Sequence, residues 1–407
     1  MKFYKHITLS IILVICMIGP LNVSAQNLGK DQEACKYVDA NIVENSRIEW
    51  DGKCKNGYIH GKGTLKVYSG ETLYATYIGE VKNGDLNGQG KLVFEDTSYE
   101  GEFKNGKFDG FGKYKAPELE YTGYFKNHVR NGFGKYTSTD GELYEGEYLN
   151  NEKHGKGKAT LSNGDKYEGD FKNGMAEGYG KITFSDGGVY EGTFIAGQPN
   201  GKGMYITAAQ EWKYQGDFKN GVMEGVGKLA YSTGDVYEGE FSNNQMNGKG
   251  IFTFEDGSKY QGQISNGEFH GYGKFSAPNG DVYEGNFKKS IKDGMGTMTT
   301  RDGIYTGEFK DDVMHGKGKL TYTIGDIYEG EFRNGMFEGM GYLQLGNGDR
   351  YTGGFSNHQI NGEGHYQFTN GYYFKGEFLN GQYINGTIFD PNNQIFEEYK
   401  DGVKLNE

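Results

Sequence analysis

Tyr167-Glu168-Gly169-Asp170-Phe171-Lys172-Asn173-Gly174-Met175-Ala176-Glu177-Gly178-Tyr179-Gly180-Lys181-Ile182-Thr183-Phe184 decides the fold. Its first five residues alternate with period two, the signal of a half-buried strand. Tyr167, Gly169 and Phe171 share one face, and Glu168 and Asp170 share the other. Asn173-Gly174 follows, and Asn-Gly is a strong hairpin signal because both residues tolerate positive φ. Residues 178–184 then alternate again, with Gly178, Gly180, Ile182 and Phe184 on one face. Asp186-Gly187 turns the chain into Tyr190. The outcome is two short antiparallel strands with no room for a helix.

The same unit fills most of the chain. Its Tyr-x-Gly signature recurs at Tyr77, Tyr99, Tyr121, Tyr144, Tyr167, Tyr190, Tyr214, Tyr237, Tyr260, Tyr283, Tyr305, Tyr328 and Tyr351, with Phe374 in the same slot, at spacings of 22 to 24 residues. A second ring follows four residues later, at Phe103, Phe125, Tyr148, Phe171, Phe194, Phe218, Phe241, Phe287, Phe309 and Phe332. Fixed-period self-similarity of this kind is the mark of a repeat architecture. The expected fold is all-β: an elongated single antiparallel sheet, a meander of tandem β-hairpins over residues 50–388. A degenerate first unit starts at Trp50, and residues 389–407 form a degenerate C-terminal cap.

Glycine normally weakens a strand interior, yet here it shares a face with the rings. A ring lying across the bare backbone of its neighbour explains this, as in aromatic rescue of glycine. Phe171 is expected opposite Gly178 or Gly180, and the ring side is expected to form a packed ridge or shallow groove presented to a partner. On the other face one register sets Glu168 against Lys181, Glu145 against Lys158 and Glu100 against Lys113, with Glu238 facing Ile251 as an exception. That face reads as a solvated, charge-mixed surface.

The order Tyr-x-Gly-x-Phe, Asn-Gly, Gly-x-Gly, as in Tyr99-Glu100-Gly101-Glu102-Phe103-Lys104-Asn105-Gly106-Lys107-Phe108-Asp109-Gly110-Phe111-Gly112, closely resembles the MORN (membrane occupation and recognition nexus) repeat. The resemblance implies one hairpin per repeat and arrays that serve as scaffolds, spacers or docking surfaces. It also brings an expectation of phospholipid association, which these residues support weakly. Lys104, Lys126, Lys172, Lys219, Lys288 and Lys310 mark one edge where lipid headgroups would meet the sheet, but acids crowd the adjacent positions.

Composition narrows the function. The chain has 407 residues with 70 Gly, 33 Tyr and 26 Phe but only 5 Pro and 2 Trp. Collagen is excluded by the missing triplet period, and a disordered linker by the aromatics. The formal net charge is −12, which disfavours nucleic acid as a partner because phosphate backbones need clustered Lys and Arg.

Residues 1–25 read as a signal peptide. Lys2 and Lys5 precede an apolar run from Ile7 to Gly19, and Val23-Ser24-Ala25 supplies small residues for cleavage. An exported, secreted, periplasmic or surface location follows, and there Cys35 and Cys54 are expected to pair as a disulfide. Residues 26–49 form an N-terminal segment, with 31–46 assigned to a short amphipathic helix over the first unit.

No catalytic, cofactor-binding or metal-binding residue stands out. His60, His154, His270 and His315 share the slot before Gly-x-Gly with Asn, Asp and Glu, which indicates a loop contact that accepts a backbone N–H. The paired carboxylates Glu145 and Glu147 recur in unit after unit, whereas a catalytic pair would be a local exception. The expected function is a non-enzymatic scaffold with a protein or envelope component as partner. Carbohydrate binding at the envelope and phospholipid association are the alternatives, and the array ends are places for homo-oligomer contacts.

Overall fold

The computed structural model describes residues 21–24, 35–39 and 46–405. The signal-peptide assignment rests mainly on residues 1–20, which lie outside the described residues, as do 26–34 and 40–45 of the N-terminal segment. The chain divides into two compact units, Met1–Gln210 with Phe218–Val222 and Glu211–Asp217 with Met223–Glu407. Among the described residues there are strands and turns and no helix. Each unit is an antiparallel meander in which consecutive strands pair, for example Lys166–Lys172 with Met175–Thr183 in the first and Lys259–Ser265 with Glu268–Ser276 in the second.

Period-two burial shapes every hairpin. Along Leu143–Leu149 exposed and buried residues alternate strictly, because one face of the sheet carries the rings and the other meets water. The Asn-Gly turns open on Asn with φ near +50°, such as Asn173 at 51°, and close on glycine, such as Gly174 at 79°. That is the twist-matched geometry of a two-residue hairpin turn.

The register differs from the expectation in one respect. Gly169 faces Gly180, but the pairing then slips by a bulge, so that Phe171 faces Ala176 in its own hairpin and Gly155 in the preceding one. The ring over bare backbone is therefore the tyrosine. A Cβ added at Gly180 would lie 2.4 Å from the Tyr167 Oη, and one at Gly169 would meet the Gly180 Cα at 2.6 Å.

The bulge has a chemical counterpart. It frees the carbonyl of the residue three positions after the tyrosine, and the tyrosine hydroxyl donates to that carbonyl. The bond recurs from Tyr77 to Glu80 at 2.8 Å, Tyr167 to Asp170 at 2.9 Å, Tyr260 to Gln263 at 2.6 Å and Tyr351 to Gly354 at 3.0 Å. A buried carbonyl left unpaired would cost about 1–3 kcal/mol, so the ring both fills the glycine gap and satisfies the bulge. The degenerate first unit keeps the device with another ring. Trp50 lies against Gly52 and Gly63, and its indole N–H donates to the Lys53 carbonyl at 3.0 Å. Only carbon is available at Phe374, which packs instead on Phe378 and Tyr383.

Rings then connect repeat to repeat. Tyr167 meets Phe171 edge-on at 4.9 Å and Phe194 of the next repeat at 5.0 Å, and Tyr305 repeats this with Phe309 at 5.1 Å and Phe332 at 4.9 Å. Edge-to-face pairs contribute about 0.5–1.5 kcal/mol each beyond their burial.

The described part of the N-terminal region consists of strands. β1 (Leu21–Ser24) pairs antiparallel with β2 (Lys36–Asp39), so the helix assigned to 31–46 is absent at 36–39. The reason is the alternation of buried Cys35 and Tyr37 with exposed Lys36 and Val38, a period of two rather than 3.6. β3 (Ser46–Trp50) and β4 (Lys53–Lys55) both pair antiparallel with β5 (Tyr58–Ser69), while Lys36 of β2 meets Tyr58 in a parallel bridge. Ile48, Ile59 and Leu65 are buried in this cap. A disulfide joins Cys35 to Cys54 across Cα atoms 6.1 Å apart.

Candidate functional site

The twenty rings assigned to an aromatic face belong to the core. Tyr99, Tyr144, Tyr190, Tyr214, Tyr237 and Tyr328 have no solvent exposure, and Phe125, the most exposed of the set, reaches 7%. Tyr121, Tyr148, Tyr167, Tyr283 and Tyr305 and Phe103, Phe171, Phe194, Phe218, Phe241, Phe287, Phe309 and Phe332 are equally buried. These rings bind neighbouring repeats and are not a surface for a partner. Burial pushes the hydroxyls of Tyr237, Tyr260, Tyr283, Tyr305 and Tyr351 up to about 12 and those of Tyr167 and Tyr190 higher still.

The histidine slot acts as a cap one repeat ahead. His60 Nδ1 accepts the Asn83 N–H at 3.3 Å, and Glu177 and Glu224 accept the N–H of Ala196 and Asn243, each at 3.0 Å. At His154, His270 and His315 the backbone carbonyl lies 3.4–3.5 Å from a core tyrosine hydroxyl. Among the described residues no group of three His, Cys, Asp or Glu is arranged to hold a metal.

One place departs from the repeat pattern. Tyr148 stands where most repeats have Phe, and its buried hydroxyl lacks a hydrogen-bond partner among the described residues. Arg130 lies over its ring, 4.8 Å from the centroid, and donates to the Asn151 carbonyl at 2.8 Å. Nearby, Lys153 and Glu142 form an ion pair with side chains 13% and 8% exposed.

The opposite face is open to water. Its register sets Glu168 against Lys181, Glu145 against Lys158, Glu100 against Lys113 and Glu238 against Ile251. The ion pairs close toward the other neighbouring strand, Lys158 to Glu168 at 2.9 Å, Lys91 to Glu100 at 3.3 Å and Lys228 to Glu238 at 2.6 Å. Both partners are exposed, so each pair contributes at most about 1 kcal/mol.

Apolar residues interrupt this charged face at a slot that sequence reasoning passed over, the middle residue of Gly-x-Gly. Phe111, Phe133, Tyr179, Val226, Tyr272, Met295 and Met340 occupy it, between 48% and 62% exposed. Strand parity was the signal available: a residue between two ring-face glycines must point the other way. Phe111 and Tyr124 face each other, with ring centroids 5.5 Å apart and Tyr124 half exposed.

Shallow grooves lie on this face in both units, and two of them centre on an exposed tyrosine. The first, of 420 Å³, has Glu145, Lys156, Lys158, Glu168, Tyr179 and Lys181 along its walls and the paired glycines Gly146, Gly157, Gly169 and Gly180 beneath. The second, of 670 Å³, sits four repeats later and is lined by Glu238, Lys249, Ile251, Gln261, Tyr272 and Lys274. The Tyr179 hydroxyl donates to Glu191 at 2.9 Å and that of Tyr272 to Glu284 at 3.0 Å. That bond raises both hydroxyls above the ordinary tyrosine value.

Comparison with known proteins bears on this arrangement. The MORN repeat model matches fourteen segments, beginning with residues 51–72 and 77–98 and ending with 328–350 and 351–371. The chain is similar in structure to the TCP10 domain of Danio rerio CPAP, at 11% identity over 60% of this chain and 99% of that chain, with a TM-score of 0.30. It is also similar to the SAS-4 (dCPAP) TCP domain of Drosophila melanogaster, solved with a proline-rich motif of Ana2, at 19% identity over 44% and 90% and a TM-score of 0.23. The TCP10c domain of Drosophila melanogaster Sas-4 matches at 16% identity over 48% and 96%, with a TM-score of 0.21. No curated protein matches the chain.

Proposed function

Because the chain belongs to the MORN repeat family, we propose that it works as an exported, non-enzymatic docking scaffold whose contact surface is the open face of the sheet. The observation that carries this reading is the division of labour between the faces. The periodic Tyr and Phe rings are buried and hold the repeats together. The Gly-x-Gly slot varies among lysine, Gln89, Glu363 and large apolar residues and leaves the apolar ones about half exposed. Varied exposed positions on an invariant frame are how repeat arrays present extended surfaces to large partners. Export is supported by the charged, apolar and small-residue order of residues 1–25, and the Cys35–Cys54 disulfide suits an oxidising compartment.

The test uses a chain in which Phe111, Tyr124 and Phe133 are each changed to Ser, compared with the three single changes. Capture of a protein or envelope component from the native envelope fraction is expected to fall in graded steps while the thermal midpoint stays in place. Undiminished capture by the triple variant refutes the open face as the contact surface.

A further inference from the structure

We propose that the two tyrosine-centred grooves of the open face are matching subsites for a neutral polysaccharide, one in each unit. The proposal rests on the open face being the contact surface. The same groove is built twice, and comparing the copies separates what is kept from what drifts. Tyr179 and Tyr272 are kept, as are their glutamate tethers Glu191 and Glu284 and the lysines two residues on, Lys181 and Lys274. Part of the charge pattern is kept, Glu145 as Glu238 and Lys156 as Lys249, while Lys158 becomes Ile251, Glu168 becomes Gln261 and Asp170 becomes Gln263 in equivalent register positions. The net charge therefore differs between the copies, and a ligand read by net charge would bind them unequally. A ligand read by a ring face and by hydrogen bonds would bind both.

The retained groups suit a sugar. Each tyrosine is more than half exposed and held by a hydroxyl bond to its glutamate, so a flat apolar face is presented at fixed orientation. The lysine is a pure donor and the glutamate a pure acceptor, and together they match a ligand whose hydroxyls both donate and accept. Between the wall side chains the floor is backbone alone, because residues 169, 180, 262 and 273 direct their substituent position to the ring face. The second groove carries Glu238 and Glu284 against Lys249 and Lys274 and is balanced in charge. An anionic lipid or an acidic chain gains no net attraction there, and a neutral polyol meets no repulsion.

The experiment is titration calorimetry of the folded chain with soluble neutral hexasaccharides (β-1,4-glucan, α-1,4-glucan and β-1,4-xylan), with polygalacturonate as the acidic probe. At least one neutral probe is expected to bind with about two sites per chain, and Tyr179→Ala or Tyr272→Ala alone leaves about one, since separate sites titrate independently. The double variant leaves none. Because both rings are exposed, far-UV circular dichroism and the thermal midpoint should not move. Tyr179→Phe keeps the ring and releases Glu191, so binding weakens without losing a site. The proposal falls if no neutral probe binds at millimolar concentration, if binding survives the double variant, or if polygalacturonate binds these grooves more tightly than the neutral probes. Its failure is distinguishable from failure of the docking reading. The Phe111, Tyr124 and Phe133 capture experiment tests the open face without reference to sugars.

Discussion

Changing Gly180 to Ala tests the central packing argument. The new Cβ would sit 2.4 Å from the Tyr167 Oη, 2.6 Å from its Cζ and 2.7 Å from its Cε2. Ordinary contact requires about 3.5 Å, so the ring must move by roughly 1 Å. It cannot do so freely, because Phe171 and Phe194 hold its edges at 4.9 and 5.0 Å and its hydroxyl is bonded to the Asp170 carbonyl at 2.9 Å. Overpacking costs about 1–3 kcal/mol and an orphaned carbonyl about 1–3 kcal/mol, against about 0.4–1 kcal/mol regained from the stiffer unfolded chain. The net is a local destabilisation of about 1–5 kcal/mol. Hydrogen exchange by mass spectrometry on peptides spanning 160–200 reads it as a loss of protection confined to neighbouring repeats. The control is Gly174→Ala, where φ is +79° but open space surrounds the Cβ and only the left-handed backbone penalty of about 1–2 kcal/mol applies. Combining Gly180→Ala with Tyr167→Phe removes the nearest clashing atom, so the double variant should lose less than the sum of the singles. Strict additivity, or a Gly180→Ala effect no larger than that of Gly174→Ala, refutes the ring-over-glycine account.

Three further outcomes follow from the same geometry. Tyr190→Phe should destabilise its repeat by about 1–3 kcal/mol through loss of the bond to the Thr193 carbonyl, whereas Tyr148→Phe, whose buried hydroxyl has no hydrogen-bond partner among the described residues, should be neutral or stabilising in thermal melts. The hydroxyls of Tyr237, Tyr260 and Tyr283 sit at about 12 in the fold against about 10 unfolded, and those of Tyr167 and Tyr190 sit higher; the unfolded chain thus releases protons first, and stability should be complete below pH 10 and fall as pH rises above about 10, followed by circular dichroism. Reducing the Cys35–Cys54 bridge, whose partners are 19 residues apart, should remove about 3 kcal/mol from the N-terminal cap and raise exchange at 35–39 while leaving the tyrosine repeats beyond Tyr121 protected.

The repeat and its hairpins were legible because each rests on local chemistry. Asn-Gly reports a turn, and period two reports which residues share a face. The cross-strand partners Glu168 and Lys181 followed from counting back from that turn. The bulge was not legible, since it depends on a third party: the tyrosine hydroxyl, which makes a slipped register affordable by satisfying the carbonyl the slip exposes. Without the bulge Phe171 would face Gly178 of its own hairpin; with it, Phe171 faces Ala176 there, and Tyr167 lies over Gly169 and Gly180. The short strand at Lys36–Asp39 was hidden for another reason, because four residues are too few for a period to declare itself without the partner strands and the disulfide that hold them.

The misplaced contact surface follows from a general property of thin sheets. A single sheet has no second layer to cover its apolar face, so rings at a regular period suggest an exposed ladder available to a ligand. Here most core tyrosines are covered by the ring of their own hairpin and by that of the next, as Tyr305 is by Phe309 and Phe332. The ring face thereby becomes its own second layer, and regularity becomes a sign of structural duty. Recognition needs positions that can vary without unfolding the array. Those are the exposed residues between paired glycines, where Lys156, Tyr179, Val226 and Met340 occupy equivalent places on the same backbone. A substitution at Tyr179 changes what the surface can hold; one at Tyr167 changes whether there is a surface.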